Sequence, residues 1–377
     1  MPNKIPLTKP FFNEFELEEL KKVLESGWVA GQGPKNKELE KEFAEYIGIG
    51  HTVCNTNCTT ALHLSLLVLG IKKGDEVIVP DYTFPATAHA VLYAGATPVF
   101  VDIDPKTFNI DTNKIEEKIT SKTKAIMPVH TFGQCAEMDE ILKIAKKNNL
   151  FVIEDAACAV GSKYKEKFAG SFGDMSCFSF HARKNITSGE GGMIASNNPK
   201  LIEDARSMSC FGIESAYARE NKFQVPQFVK LGYNYKLSDI AASIVLVQLK
   251  RSEQYVKKRN ELAEYYNNKL KEISTITVPF VEKHNRHAYQ SYIVLLDKKI
   301  NRNDLIVKLG EKGIQTQIGT YSLHRQPVYQ GITDCEEKNF PNSSFVFDHS
   351  LALPMYYEMS FDDIDRVVDT LKEVLKE

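Results

Sequence analysis

Between about residues 14 and 250, short continuous apolar runs alternate with segments whose apolar residues recur at helical spacing. Continuous runs suit strands covered on both faces, whereas strict alternation would mark a strand with one wet face. Candidate strands are residues 75–80 (DEVIVP), 97–102 (TPVFVD), 125–130 (AIMPVH), 151–155 (FVIED), 175–180 (MSCFSF) and 192–196 (GMIAS). Between them the pattern predicts helices in ALHLSLLVLG after Thr59 and Thr60, in PATAHAVLYAG after Phe84, and in MDEILKIAKKNN. Strands and helices in alternation predict an α/β fold with a mostly parallel sheet flanked by helices. Residues 240–275 read as one long, lysine-rich helix. Beyond it, HAYQSYIVLLD, NDLIVKLGEKG and SFDDIDRVVDTLKEVLKE predict a compact α+β unit, which divides the chain into a large lobe over residues 1–250 and a small lobe over residues 251–377.

Charge changes this picture by exclusion. The net charge is -2 and acidic and basic residues are interspersed, so there is no electrostatic footprint for nucleic acid or for an anionic membrane. The N-terminal stretch lacks the apolar centre of a signal peptide and no segment approaches a membrane span, which predicts a soluble, cytoplasmic protein. The seven cysteines (Cys54, Cys58, Cys135, Cys158, Cys177, Cys210, Cys335) form an odd set without a CxxC pair. Reduced, mostly buried thiols are expected, with neither a disulfide framework nor a metal site.

Candidate chemistry gathers at Lys184, in FSFHARKNITSGEGGM, and at Asp155, which ends the apolar run LFVIEDAA. Each alone has an ordinary reading: lysines are usually solvated, and an Asp at a strand end is often a turn residue. Together they are what pyridoxal phosphate requires, an amine to form a Schiff base with the cofactor aldehyde and a carboxylate to keep the pyridine nitrogen protonated. Gly189, Gly191 and Gly192 follow the lysine closely, a cluster that lets backbone pass near a ligand.

These motifs, with SGWVAGQGP, GDEVIVPDYTFPATAHAVLYAGATPVFVDID and LGYNYKLSDIAA in the same order, make the chain similar to the DegT/DnrJ/EryC1/StrS family of sugar aminotransferases. The resemblance implies a fold-type-I aminotransferase with pyridoxal 5′-phosphate as cofactor and Lys184 as the catalytic residue. It implies that Asp155 binds the ring nitrogen, that Phe84 stacks on the ring, and that Ser179, Thr59 and the amides of Cys58 and Thr59 hold the phosphate. Thr59 has the alternative role of helix cap, and Phe84 that of core residue. Cys158 stands where relatives often carry Gln or His near the phenolic oxygen. Asn234 matches a residue that reaches the partner subunit's phosphate, so a homodimer with shared sites is implied.

A ping-pong transfer from L-glutamate to a nucleotide-linked keto sugar follows from the same resemblance. Lysine at 184, where one branch of the family has His, implies amine transfer rather than dehydration. The SFHxxKNIT form is similar to enzymes that aminate a 4-keto-6-deoxy sugar, with 3-keto sugars, keto-inositols and a non-enzymatic regulatory protein as alternatives. Trp28 and His324 are the candidate sugar contacts, although an isolated Trp or His is more often structural.

Overall fold

The computed structural model describes residues 4–214 and 225–376. Its centre is a seven-stranded sheet of β1 (His51–Asn55), β2 (Glu76–Pro80), β3 (Thr97–Val101), β4 (Thr123–Ile126), β5 (Phe151–Asp155), β6 (Met175–Ser179) and β7 (Gly192–Ser196). The strand order is β1-β7-β6-β5-β4-β2-β3. From β6 to β3 all neighbours are parallel, while β7 runs antiparallel to both β6 and β1. The edge strand β1 was not among the sequence candidates. HTVCN has only one aliphatic residue, and it becomes a strand because β7 is there to pair with it.

The continuous apolar runs have the predicted cause. In β2, Ile78 joins one apolar layer while Val77 and Val79 join the other, so both faces are covered. One layer is roofed by α2 (Pro34–Ile47), α5 (Met138–Asn148) and α7 (Asp239–Leu249), the other by α3 (Cys58–Val68), α4 (Ala86–Tyr93) and α6 (Pro199–Ser209). Each fully buried aliphatic side chain contributes about 1.5–3 kcal/mol, so the two layers dominate the stability of the large lobe. α1 (Glu14–Ser26) starts at a capping box between Asn13 and Glu16 and stops at Gly27, whose φ of 75° needs no Cβ.

The single helix expected over residues 240–275 is two. α7 ends at Leu249 and α8 (Ser252–Leu270) begins after Arg251, whose φ/ψ of -111°/4° breaks the ladder. The reason is a change of partner. Val245, Leu246 and Leu249 belong to the large-lobe core, whereas Leu262, Ala263, Tyr266 and Leu270 fill the core of the small lobe, and one straight axis does not serve both. Periodicity reports that a segment is helical and is blind to such a bend.

The small lobe holds an antiparallel sheet of β8 (Ile276–Thr277), β9 (Tyr292–Leu296) and β10 (Ser350–Leu353), with α9 (Arg302–Glu311), α10 (Pro341–His349) and α11 (Phe361–Lys376). The chain crosses between lobes more than once. Ile5 bridges to Ile314 and packs in the small-lobe core. In the other direction, Tyr321–Ser322 pairs with Tyr82–Thr83, and Leu323, Tyr329 and Phe340 enter the large-lobe core.

Candidate active site

The carboxyl ends of β5 and β6 and the N-terminus of α3 meet at one place, because Gly192 permits it. In the paired rows Asn55, Gly192 and Ser179 lie side by side across β1, β7 and β6. A Cβ on Gly192 would stand 2.5 Å from the carbonyl carbon of Asn57 and 2.9 Å from the amide nitrogen of Cys58. The close approach inferred from the glycine cluster is therefore to the start of α3. Gly189 serves a different need, a φ of 87° in the loop that carries Lys184.

At that helix start Asn57 is the cap, its side chain accepting from the Thr60 amide at 2.9 Å. Thr59 is thus not the cap, and it is a half-buried residue of the first turn, where the Cys58 and Thr59 amides also lie. Amides so placed have no acceptor within their helix, and with the helix dipole they favour an anion. The Cys58 side chain is buried, and burial holds the thiol well above its ordinary pKa. Ser179 is buried and accepts from the His181 amide at 3.3 Å.

Asp155 is buried, and its register partner on β6 is Cys177. Its carboxylate accepts from the Thr87 hydroxyl at 2.8 Å and from the Ala157 amide at 3.2 Å. Burial is the largest influence on it and raises its pKa, while the two donors and the charge of Lys184 work in the opposite direction. A buried carboxylate in this condition is set up for a cationic partner. Thr87 escaped the sequence reading because a Thr in a helical stretch carries no signal of its own. Its spacing of three from Phe84 was the available clue.

Lys184 lies on the loop between β6 and β7, which is closed by Phe180–Gly191, Ala182–Gly189 and Lys184–His181 backbone hydrogen bonds. Its Nζ donates to Cys158 Sγ at 3.1 Å. Burial opposes its charge, but Cys158, Cys58 and Asp155 together raise its pKa. The amine and the Asp155 carboxylate are close enough for each charge to influence the other's pKa. His181 packs locally, its Nδ1 accepting from the Arg183 amide at 3.2 Å. Phe84 follows the Tyr82–Thr83 strand and is 63% exposed, so it is not a core residue.

Among the described residues, the side chains of the remaining candidates make no hydrogen bond to this cluster. Trp28 follows the Gly27 cap and is 61% exposed. Asn234 is exposed, with its side chain in contact with Lys236 Nζ and its backbone bridged to Cys210. His324, the other expected sugar contact, is enclosed. It is 1% exposed, with Nδ1 at 2.7 Å from Asp81 and Nε2 at 2.9 Å from Glu337. A sugar would have to displace one of these carboxylates to reach it. Burial opposes the imidazolium, yet the two carboxylates prevail and raise its pKa. Sequence gave no hint of this clamp, since Asp81 and Glu337 are far from His324 or merely near it along the chain.

Free amides at a helix start, a buried carboxylate with few donors, an amine within its electrostatic reach and an uncovered aromatic ring fit pyridoxal phosphate. The family model described as the DegT/DnrJ/EryC1/StrS aminotransferase family matches residues 10–372. The chain is 38% identical to GDP-perosamine synthase of Caulobacter vibrioides, covering 99% of this chain and 98% of that one. It is also 38% identical to the spore coat polysaccharide biosynthesis protein SpsC of Bacillus subtilis, covering 99% and 97%. The putative sugar aminotransferase Spr1654 of Streptococcus pneumoniae superposes in its PLP form with a TM-score of 0.91 at 30% identity, covering 99% of both chains.

Fold and comparisons together define a pyridoxal-phosphate-dependent aminotransferase. Within that class the chain belongs to the DegT/DnrJ/EryC1/StrS aminotransferase family and is a sugar aminotransferase. Among the described residues no helix is long and apolar enough to cross a membrane, and no group of His, Cys, Asp and Glu is assembled for a metal.

Proposed function

We propose that this enzyme moves an amino group from L-glutamate to the keto carbon of a nucleotide-linked 4-keto-6-deoxy sugar, and that it does so as a homodimer. The carrying observation is the buried Asp155 carboxylate within electrostatic reach of the Lys184 amine, with Cys58, the first residue of α3, within reach of both. Similarity to a GDP-perosamine synthase, whose product is a 4-amino sugar, supports the position of amination.

When bound, pyridoxal phosphate supplies an electron sink for the carbon whose amine is exchanged. Asp155 would hold the ring nitrogen and keep it charged. Thr59, Ser179 and the amides of Cys58 and Thr59 would hold the phosphate, and Phe84 would cover one face of the ring. Lys184 Nζ would hold the aldehyde carbon and would supply the base for the α-proton of the amino donor. Cys158 Sγ, in contact with that amine, orients it.

Dimerisation is supported by an uncovered apolar face. Trp28, Val29, Phe211, Phe228, Val229 and Leu231 are all exposed. Backbone contacts join these segments: Gly31 bridges to Ser238, Val229 bonds to Gly212, and Phe211 bonds to Tyr233. Exposed apolar side chains grouped on such segments support an interface there, and Asn234, bridged to Cys210, lies on one of these segments. Asn234 is accordingly assigned to the partner's phosphate and Trp28 to the sugar. His324 is retained as a candidate sugar contact that would act only after its clamp opens.

The test is to incubate the purified enzyme with L-glutamate and a panel of UDP-, GDP- and dTDP-linked 4-keto and 3-keto sugars and to weigh the products. A gain of an amine on a 4-keto sugar is expected. Amination confined to 3-keto sugars or keto-inositols would overturn the assignment.

A further inference from the structure

We propose that Thr87 is a positioning residue of this reaction, and that Thr83 aims it, the two hydroxyls forming a relay that holds Asp155 ionised and in place. The inference rests on the cofactor assignment above. Thr87 is fully buried and Thr83 nearly so, and their hydroxyl oxygens are 3.1 Å apart. A hydroxyl has one hydrogen. That of Thr87 goes to Asp155 Oδ2 at 2.8 Å, so Thr83 donates to Thr87. Both hydrogens therefore point toward the carboxylate, and in a low-dielectric interior aligned donors of this kind reinforce one another.

This arrangement answers a specific need. Asp155 must remain charged although its surroundings favour the neutral acid. Of its two hydrogen bonds, the one from Ala157 is a long backbone contact at 3.2 Å, and the short one comes from Thr87. A proton on Oδ2 would meet the hydrogen of Thr87, which the relay has already turned inward. The ionisable groups close enough to influence Asp155 electrostatically are Lys184, His130, Cys58 and Cys177, and burial raises both thiols so that they stay neutral.

Thr83 is itself fixed from outside the large lobe. Its backbone is paired with Tyr321, in the segment that returns from the small lobe. One stretch, residues 83–87, thus supplies the relay and carries Phe84 between its two hydroxyls.

The experiment compares the wild type with Thr87→Ser, Thr87→Val, Thr83→Val and the double variant T83V/T87V. Pyridoxal phosphate affinity is measured by equilibrium dialysis on stripped protein, and the bound-cofactor absorbance is titrated across neutral pH. Thr87→Val is expected to bind the cofactor roughly ten- to a hundredfold more weakly, the size of a lost hydrogen bond to a charged group. Its absorbance should also titrate at a shifted pH, while Thr87→Ser restores both properties. Thr83→Val should have a smaller effect, and T83V/T87V should be no worse than Thr87→Val, because Thr83 acts through Thr87.

Wild-type affinity and titration in Thr87→Val would overturn the proposal, as would additive losses in the double variant. If Thr87→Val does not fold, Thr83→Val carries the test, and unchanged affinity and pH profile there sink the relay. A wild type that binds no pyridoxal phosphate would instead refute the cofactor assignment.

Discussion

Glu154 and Asp155 are neighbours on β5, both buried, and alternation along the strand sends them to opposite faces. Glu154 is saturated: it accepts from the Gly170, Phe172 and Gly173 amides at 2.7–2.8 Å and meets His130 Nε2 at 2.9 Å. Since His130 Nδ1 already accepts from the Ala136 amide, Nε2 carries the hydrogen and donates. Asp155 has one hydroxyl and one long amide bond, with the Lys184 amine within electrostatic reach. The first carboxylate has no capacity left for a ligand and serves to staple the 170–173 loop to the sheet. The second is kept short of partners, so a cofactor cation completes it. Burial alone does not separate a structural acid from a functional one; the count of donors does.

The contrast can be broken most sharply at the amine. Lys184→Ala should lower turnover by roughly 10²- to 10⁴-fold, since a positioned base is lost, and should remove the visible-edge absorbance of the holoenzyme. Wild-type steady-state transamination in that variant would refute its role.

Next come the two carboxylates. Glu154→Gln should destabilise the protein by about 3 kcal/mol, because an amide cannot accept from all of these donors, and chemical denaturation would read the loss. Asp155→Asn should do the reverse, losing activity while the stripped protein gains stability at neutral pH. The sign follows from the raised pKa of Asp155: the folded state holds the proton more tightly, so charge at this site costs stability above the folded pKa. That cost fades as pH falls toward the ordinary carboxylate value. Stripped wild type should therefore show this gain on acidification and Asp155→Asn should not.

Smaller effects sharpen the picture. Phe84→Ala should weaken cofactor binding by about 0.5–1.5 kcal/mol, the worth of an aromatic stack beyond its area, with folding unchanged because the ring is exposed. The clamp of His324 by Asp81 and Glu337 has a raised pKa, so its stabilisation is complete below the ordinary histidine pKa and is lost as pH rises through the folded one. His324→Gln should flatten that part of the pH–stability curve in stripped protein. An unchanged curve would show that the clamp does not stabilise the fold.

How legible all this was differs between levels. Residues 76–80, 97–101, 151–155, 175–179 and 192–196 were visible as strands because a doubly covered strand must be apolar at nearly every position. The polar edge strand 51–55 lacked that mark, and so did the break at Arg251. Lys184 and Asp155 stood out because their chemistry is uncommon in such settings. Thr87, the saturated state of Glu154 and the clamp on His324 were invisible, since each is defined by partners brought from elsewhere in the chain.

By itself, then, the sequence determined which segments are buried and which residues have the chemistry for a cofactor, because both are properties of side chains and their local order. Tertiary structure decided which carboxylate is saturated and which is open, that Asn57 rather than Thr59 caps α3, and that Phe84 is uncovered while His324 is enclosed. Those outcomes depend on distances between residues far apart in the chain. Donor counts and exposure arise only when the sheet brings such residues within a few ångströms of one another.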